Sequence, residues 1–304
     1  MASFGITLPS SIPEPRPDRM ADFARRAEQA GVDSLWVTDR MVYRTLSPLI
    51  VLGAAAGVTQ RVRLGTSILL SYLRSPFLLA KDVATLDALS GGRAILGIGI
   101  GNREDDANAA GVPFKQRAGR TEEGIDLMRK LWSGEPVTHH GRYFHMDGLT
   151  LRPKPVQRPG LPIWIAGRAD GALERAGRLA DGFICSSSSL PNIQEPLEKV
   201  YAAARRHGRD PAKIEPALLV YFYCDPDTKR AVEKCSAHFQ AYYGRVPSDV
   251  ADTQIVGPPQ ACIDRLQSYV SKGVRTFILG ATTPEESQLD LLGEKILPQL
   301  RRGA

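Results

Sequence analysis

Residues 61–102 read RVRLGTSILLSYLRSPFLLAKDVATLDALSGGRAILGIGIGN. Arg61–Leu70 alternates polar and apolar residues and becomes wholly apolar at Ile68–Leu70. Pro76–Leu89 has helical spacing, with Leu79, Val83 and Leu86 on one face and Lys81, Thr85 and Ala88 opposite. Ser90-Gly91-Gly92 stops that helix, because glycine takes the left-handed conformation without a steric penalty. Ala94–Ile100 is a second apolar strand. Two apolar strands joined by one helix make a parallel βαβ unit buried on both faces. Such a unit needs further strands beside it.

The chain supplies them in both directions. Upstream, Phe4–Leu8 is a strand, Asp18–Ala30 a helix closed by Gly31, and Asp33–Thr38 a strand. Ser47-Pro48 opens the next helix, serine at the cap and proline in the first turn. Downstream, Thr121 is expected to cap a helix that turns Ile125, Met128, Leu131 and Trp132 inward. Gly134–Gly160 breaks the rhythm. Arg142–Met146 and Leu149–Leu151 flank Asp147-Gly148, a hairpin signal, and the proline-rich RPKPVQRPG returns the chain. This reads as an insertion in one domain, not a domain of its own. Strands then recur at Pro162–Ala166, Gly182–Cys185, Ala217–Cys224 and Val274–Leu279. Helices span Asp170–Ala180, Asn192–His207, Asp227–Tyr242, Pro259–Lys272 and Glu285–Leu300, and Gly244–Gly257 reads as irregular. Eight core strands separated by helices predict an α/β fold, a (β/α)8 TIM barrel with a hairpin insertion after the fourth helix. An open doubly wound sheet is the alternative. Its support is Gly97, Gly99 and Gly101, but that run lies within a strand, lacks GxGxxG and does not lead directly into a helix.

Composition narrows the function. Across 304 residues the formal charge is +6, yet the basic residues are scattered without a long block, which argues against nucleic acid as partner. Cys185, Cys224, Cys235 and Cys262 form no CxxC pair, as expected of a cytoplasmic chain with reduced thiols. The N-terminus has no basic segment followed by an apolar core, and no apolar run approaches the ~18 residues of a membrane span. No HxxH or HExxH spacing suggests a metal site.

In a barrel, chemistry collects where the strands end. Those ends are Pro9 and Ser10; Asp39 and Arg40; Ser67 to Leu70; Gly101 and Asn102; Ala166, Gly167 and Arg168; Ser186 and Ser187; Tyr221 and Tyr223; Gly280 and Ala281. Gly167-Arg168 precedes a helix, whose first N–H groups attract anions, and glycine allows a phosphate to approach closely. Ser186 and Ser187 can add hydroxyl donors. Asn102 can bind a cofactor ring or its side chain. Tyr43, Tyr72, Tyr221 and Tyr223 lie near strand ends, where they can stack on a ligand or pack in the core. Arg74 can meet substrate charge, and His139, His140 and His145 of the insertion can supply an acid or base. Glu104, Asp105 and Asp106 read as the solvated start of a loop.

These residues resemble the luciferase-like monooxygenase superfamily, the flavin- and deazaflavin-dependent barrel oxidoreductases. The likeness runs through AEQAGVDSLWVTDR, RVRLGTSIL, SPFLLAKDVATLDALSGGRAILGIGIGN, GRYFHMDGLTLRPKPVQRPGLPIWIAG and GRLADGF. It implies a cofactor in the barrel mouth with its phosphate near Gly167, Arg168 and Ser186, and a non-proline cis peptide at Ser67–Ile68 behind the ring. DGFICSSS and Asp39 look like the F420-dependent glucose-6-phosphate dehydrogenases, so F420 is the expected cofactor, with FMN the alternative. Hydride transfer to or from a small organic molecule is then expected. FMN would instead imply monooxygenation with a separate flavin reductase as partner. Where the dehydrogenase branch has histidine after the aspartate, this chain has Arg40. A guanidinium stays protonated and cannot serve as a general base at neutral pH, so Arg40 is expected to hold an anionic substrate or a cofactor oxygen. Relatives of this kind imply a homodimer. Two other readings stay open: a flavin binder without catalysis, and a barrel lyase or isomerase whose strand-end acid would be Asp39 or Glu104.

Overall fold

The computed structural model describes residues 2–10, 17–41, 45–186 and 192–302. In chain order, β1 (Ser3–Thr7) leads through a 3-10 turn at Pro17–Arg19 to α1 (Met20–Gln29) and β2 (Ser34–Val37). Then come α2 (Pro48–Ala56), β3 (Arg63–Thr66), α3 (Pro76–Leu89) and β4 (Ala94–Ile98). α4 (Glu104–Ala109) and α5 (Arg117–Trp132) precede the hairpin β5 (Val137–His140) and β6 (His145–Leu149). The alternation resumes with β7 (Ile163–Ala166), α6 (Asp170–Leu179), β8 (Gly182–Ser186) and α7 (Gln194–Arg206). β9 (Glu215–Cys224), α8 (Thr228–Tyr243), α9 (Val250–Thr253), β10 (Ile255–Gly257), α10 (Pro259–Ser271) and β11 (Thr276–Ala281) follow. The chain closes with α11 (Ser287–Leu291), a π turn at Leu292–Ile296 and α12 (Leu297–Arg302).

Eight parallel strands close on themselves in the order β1-β2-β3-β4-β7-β8-β9-β11 and back to β1. The expected (β/α)8 barrel with its hairpin insertion is the observed one. β9 is twice the length of most of the others. Its first half pairs with β8 (Gly182↔Glu215), and its last three residues pair with β10 (Gly257↔Cys224). The segment read as irregular therefore contains a strand that extends the wall above β8.

Alternation along each strand sorts side chains into two cores. Phe4, Ile6, Leu35, Val37, Leu64 and Leu96 point outward and are buried beneath the helices. Each such side chain contributes roughly 1.5–3 kcal/mol by leaving water. Trp36, Ile95, Trp164, Ile184, Ala217 and Ile278 point inward and fill the barrel. The rings of Trp36 and Trp164 lie 5.3 Å apart. They fit because neighbouring strands carry glycine: a Cβ on Gly65 would lie 2.3 Å from the Trp36 ring, and one on Gly182 would lie 2.7 Å from Trp164. The lower barrel is thus a packed plug.

Four local expectations change. α5 begins at Arg117, so Thr121 is a buried residue inside the helix and not its cap. Ser47 stands at the N-cap of α2 but makes no side-chain cap bond, leaving Pro48 as the start signal. Glu104–Ala109 is a helix instead of a solvated loop, its acidic first turn suited to the positive helix end, and Asp106 is buried, accepting from the Met41 N–H at 3.0 Å. The hairpin turns at Gly141–Phe144, and Asp147-Gly148 lies within β6. Glu123 of α5 explains the shift. Its carboxylate accepts from the Phe144 N–H (2.9 Å), the Tyr143 N–H (3.1 Å) and His139 Nε2 (3.1 Å).

The proline-rich return is fastened by Asp87. This wholly buried carboxylate of α3 accepts from the Val156 N–H at 2.7 Å and from Gln157 Nε2 at 2.6 Å. Arg93, the last residue of the TLDALSGGR motif, spans the end of α2, donating to the carbonyls of Ala56, Thr59 and Val62. The motif joins three elements.

Candidate functional site

Above the tryptophan plug, the inward side chains are no longer fully covered. Ile68, Ala166 and Leu219 pack on the plug yet remain half-buried. They form a floor at the C-terminal end of the barrel. Ile68 reaches it through the Ser67–Ile68 peptide, which is cis as expected. Strand β4 makes room: a Cβ on Gly97 would lie 1.9 Å from the Thr66 carbonyl oxygen, and one on Gly99 would lie 2.6 Å from Ile68 Cδ1. The glycine spacing of ILGIGIGN serves this close approach and not a dinucleotide loop. The Oγ of Ser67 is buried without a hydrogen-bond partner, as are the Ser71 and Tyr72 hydroxyls on the same loop.

Gly167 and Arg168 lie at the rim, between β7 and α6. A Cβ on Gly167 would meet the Ala172 Cβ at 2.4 Å, so the turn folds tightly over the first turn of α6. Ala169 stands at the N-cap and makes no side-chain cap bond, while a Cβ on Gly171 would point into open space. That helix end offers uncapped N–H groups to an anion. Ser186 ends β8 half-buried, one strand over. Ser187 and Tyr43 lie outside the described residues. Asn102 is exposed beyond β4.

Asp39 and Arg40 end β2 and do different things. Asp39 is buried, and its carboxylate accepts from Arg74 Nη1 at 2.6 Å, Arg74 Nη2 at 3.1 Å and the Leu70 N–H at 3.0 Å. The Asp39 N–H in turn donates to the Ile68 carbonyl at 3.1 Å. Asp39 and Arg74 thus lock the loop that carries the floor. Arg40 is half-buried and lies over two rings, 4.6 Å from the centre of Tyr242 and 5.1 Å from that of Tyr243. Both belong to the end of α8, so this helix reaches across to β2.

Sequence reading missed this roof. Tyr221 Oη and Tyr243 Oη are 2.6 Å apart, and the Tyr221 ring lies 4.8 Å from Phe239 and 4.9 Å from His238. Burial pushes the Tyr221, Tyr242 and Tyr243 hydroxyls above their ordinary range, so they remain protonated at neutral pH. Burial pushes His238 the other way, down to about 4. The signal available was the aromatic run HFQAYY closing α8. Tyr223 donates to Glu285 Oε2 at 2.8 Å. The insertion histidines hold the hairpin: His139 pairs with Glu123 and His140 with Asp147 at 2.6 Å. Among the described residues no group of His, Cys, Asp and Glu is arranged to hold a metal, and no helix is long and apolar enough to cross a membrane.

A closed parallel barrel with helices between its strands, a half-buried apolar floor and an uncapped helix end at its C-terminal mouth defines the class: a (β/α)8 barrel with its candidate site at the strand ends. Within that class the chain belongs to the luciferase-like monooxygenase family, which matches residues 2–276. It is 31% identical to an F420-dependent glucose-6-phosphate dehydrogenase of Kineococcus radiotolerans, covering 94% of each chain. It is 24% identical to a 5,10-methylenetetrahydromethanopterin reductase of Methanopyrus kandleri over 98% of this chain and 99% of the other. Among solved structures, an F420-dependent secondary alcohol dehydrogenase in complex with an F420–acetone adduct superposes with a TM-score of 0.88 at 25% identity, covering 99% of both chains.

Proposed function

We propose that this protein is an F420-dependent oxidoreductase that moves a hydride between the deazaflavin and a small organic substrate at the barrel mouth. The observation that carries this reading is the half-buried floor of Ile68, Ala166 and Leu219 beside an uncapped helix end at Gly167. A flat apolar ring with a phosphate tail needs that pairing of surfaces.

The residues present fit such a group. Ser67 and Ile68 would back the ring, and the unpartnered Ser67 Oγ offers it a polar contact. Gly167, Arg168 and the first N–H groups of α6 would receive the phosphate, with Ser186 alongside and Asn102 toward the tail. When bound, F420 supplies the two-electron hydride chemistry. The chain supplies position and electrostatics. Asp39 acts as a positioning residue, because Arg74 and the Leu70 N–H already occupy its carboxylate. Arg40 is a cation at the rim, and the tyrosines of α8 beside it stay protonated.

An interface between copies is part of the reading. α2 carries no charged residue, and Ile50 on α2 and Leu78 on α3 are 75% and 61% exposed. Two copies packing these faces together would cover them.

A paired fluorescence titration of the purified protein with F420 and FMN, each oxidised and reduced, tests the cofactor. Tighter binding of F420 is expected. Tighter binding of reduced FMN would overturn the reading in favour of oxygen chemistry, and binding of neither would return the barrel to the lyase class.

A further inference from the structure

We propose that the base of the barrel, at the end opposite the mouth, carries a second binding site, and that it takes a small phosphomonoester with an apolar body. A cavity of about 370 Å³ lies there, lined by Tyr201 and Arg205 of α7, by Arg275 ahead of β11, and by the buried Ile214 and Pro216 at the start of β9. The site is independent of the mouth and of whichever cofactor lies there.

The cavity is built from the backbone up. The Arg275 N–H donates to the Pro216 carbonyl at 2.9 Å, and the Arg275 carbonyl accepts from the Ser3 N–H at 2.7 Å, which fixes this residue between two strands. Ile278 fills the barrel and Phe277 packs outside it, so alternation turns the Arg275 side chain outward as well. Tyr201 and Arg205 stand four residues apart on α7 and share a face. The half-buried Tyr201 packs its ring against the main core. Burial holds its hydroxyl above the ordinary range, and the Arg275 charge opposes that shift, as a neighbouring cation does.

The side-chain donors of this cavity are unspent. Among the described residues, the Arg205 and Arg275 guanidinia and the Tyr201 hydroxyl have no hydrogen-bond, ion-pair or ring partner in the chain. No carboxylate lines the cavity. Glu198 and Glu215 bear on Tyr201 only through their charge, and Glu215 Oε1 already accepts from the Thr276 hydroxyl at 2.7 Å. The N–H groups of Ile214, Gly273 and Arg275 are bonded within the chain, so recognition falls to the side chains. A carboxylate would be satisfied by one guanidinium fork and would leave the second cation uncovered. A phosphomonoester brings close to two charges and three acceptor oxygens, which two forks and a hydroxyl match. Ile214 and Pro216 give its organic part an apolar surface, and the cavity is of the size that small-molecule sites have, about 300–1,000 Å³.

Isothermal titration in about 0.15 M salt tests the site, with phenyl phosphate, benzoate and phenol as probes. Phenyl phosphate is expected to bind with a dissociation constant below about 1 mM, and at least about tenfold tighter than benzoate or phenol. Arg205→Gln and Arg275→Gln should each weaken it at least about tenfold, whereas Gly167→Asp, at the mouth, should leave it within about twofold of wild type. Arg275→Lys keeps the charge without the fork and should lose only part of the affinity; it also serves if Arg275→Gln fails to fold. Absence of phenyl phosphate binding overturns the inference, and so does equal binding of benzoate or phenol. Affinity that survives both arginine variants overturns it as well, and affinity lost in Gly167→Asp but kept in those variants would place the phosphate at the mouth instead.

Discussion

Acid should weaken this fold through one imidazole. His238 is 3% exposed in α8, against the rings of Tyr221 and Tyr242. Burial depresses its pKa from an ordinary 6.5 to about 4, with the Thr282 backbone opposing the shift. Between those values the unfolded chain takes up a proton that the folded chain refuses. Stability therefore falls as pH drops through the window from 6.5 toward 4, is unaffected by this group above it, and levels off below it. A gap of about two and a half units, at about 1.4 kcal/mol per unit, makes the full effect about 3.5 kcal/mol. His238→Phe keeps a ring in the cluster and removes the titration. Urea unfolding of both proteins near neutral pH and at about pH 4.5 isolates the effect, since carboxylates titrate alike in the two and cancel. The wild type should lose about 2–3 kcal/mol more than the variant over that interval. Equal losses, within about half a kcal/mol, would mean that the imidazole protonates in the folded state at its ordinary pH, and the account of a sealed aromatic roof would be wrong.

Arg74→Met should destabilise by about 3 kcal/mol in denaturant unfolding, because it leaves the buried Asp39 carboxylate with one N–H donor; a loss below about 1 kcal/mol would show that water reaches Asp39. Gly65→Ala drives a methyl group into the Trp36 ring and should cost about 1–3 kcal/mol in the same assay, with Trp36→Leu in the same chain recovering part of it; no recovery would place the clash elsewhere. Gly167→Asp puts a carboxylate beside the α6 N-terminus and should weaken F420 binding at least about tenfold in a fluorescence titration, whereas unchanged affinity would move the phosphate away from that turn. Ile50→Asp combined with Leu78→Asp should yield monomers in light scattering if wild type is a dimer through those faces, and a variant that stays dimeric would exclude them.

The central βαβ unit is legible because every local signal agrees. Pro76–Leu89 has helical spacing, proline opens it, two glycines of positive φ close it, and the observed helix has those bounds. The hairpin shows the opposite case. Asp147-Gly148 is the stronger turn dipeptide, but Glu123 on a neighbouring helix gathers the Tyr143 and Phe144 N–H groups and sets the turn at Gly141–Phe144, ahead of the local signal. Local chemistry proposed and a distant carboxylate decided. β10 was hidden for a similar reason, since its three residues are a strand only because β9 outruns β8. At the mouth, Ser67–Ile68, Gly167 and Ser186 could be read from strand ends, because a barrel fixes where strand ends go. The roof could not. Arg40 and Tyr242 meet only once the barrel has closed and α8 has folded back, and nothing in either segment names the other.

The tryptophan plug also governs traffic. Among the described residues Trp36 and Trp164 fill the lower barrel, which leaves the floor to be approached from the C-terminal mouth. Two molecules held one above the other in a well entered from one end must leave in the reverse of the order in which they came. Whichever of them rests on Ile68, Ala166 and Leu219 arrives first and departs last. Turnover would then follow a compulsory sequence, visible as product inhibition competitive with only one of the two substrates, and random-order inhibition patterns would mean that both ligands reach the floor side by side.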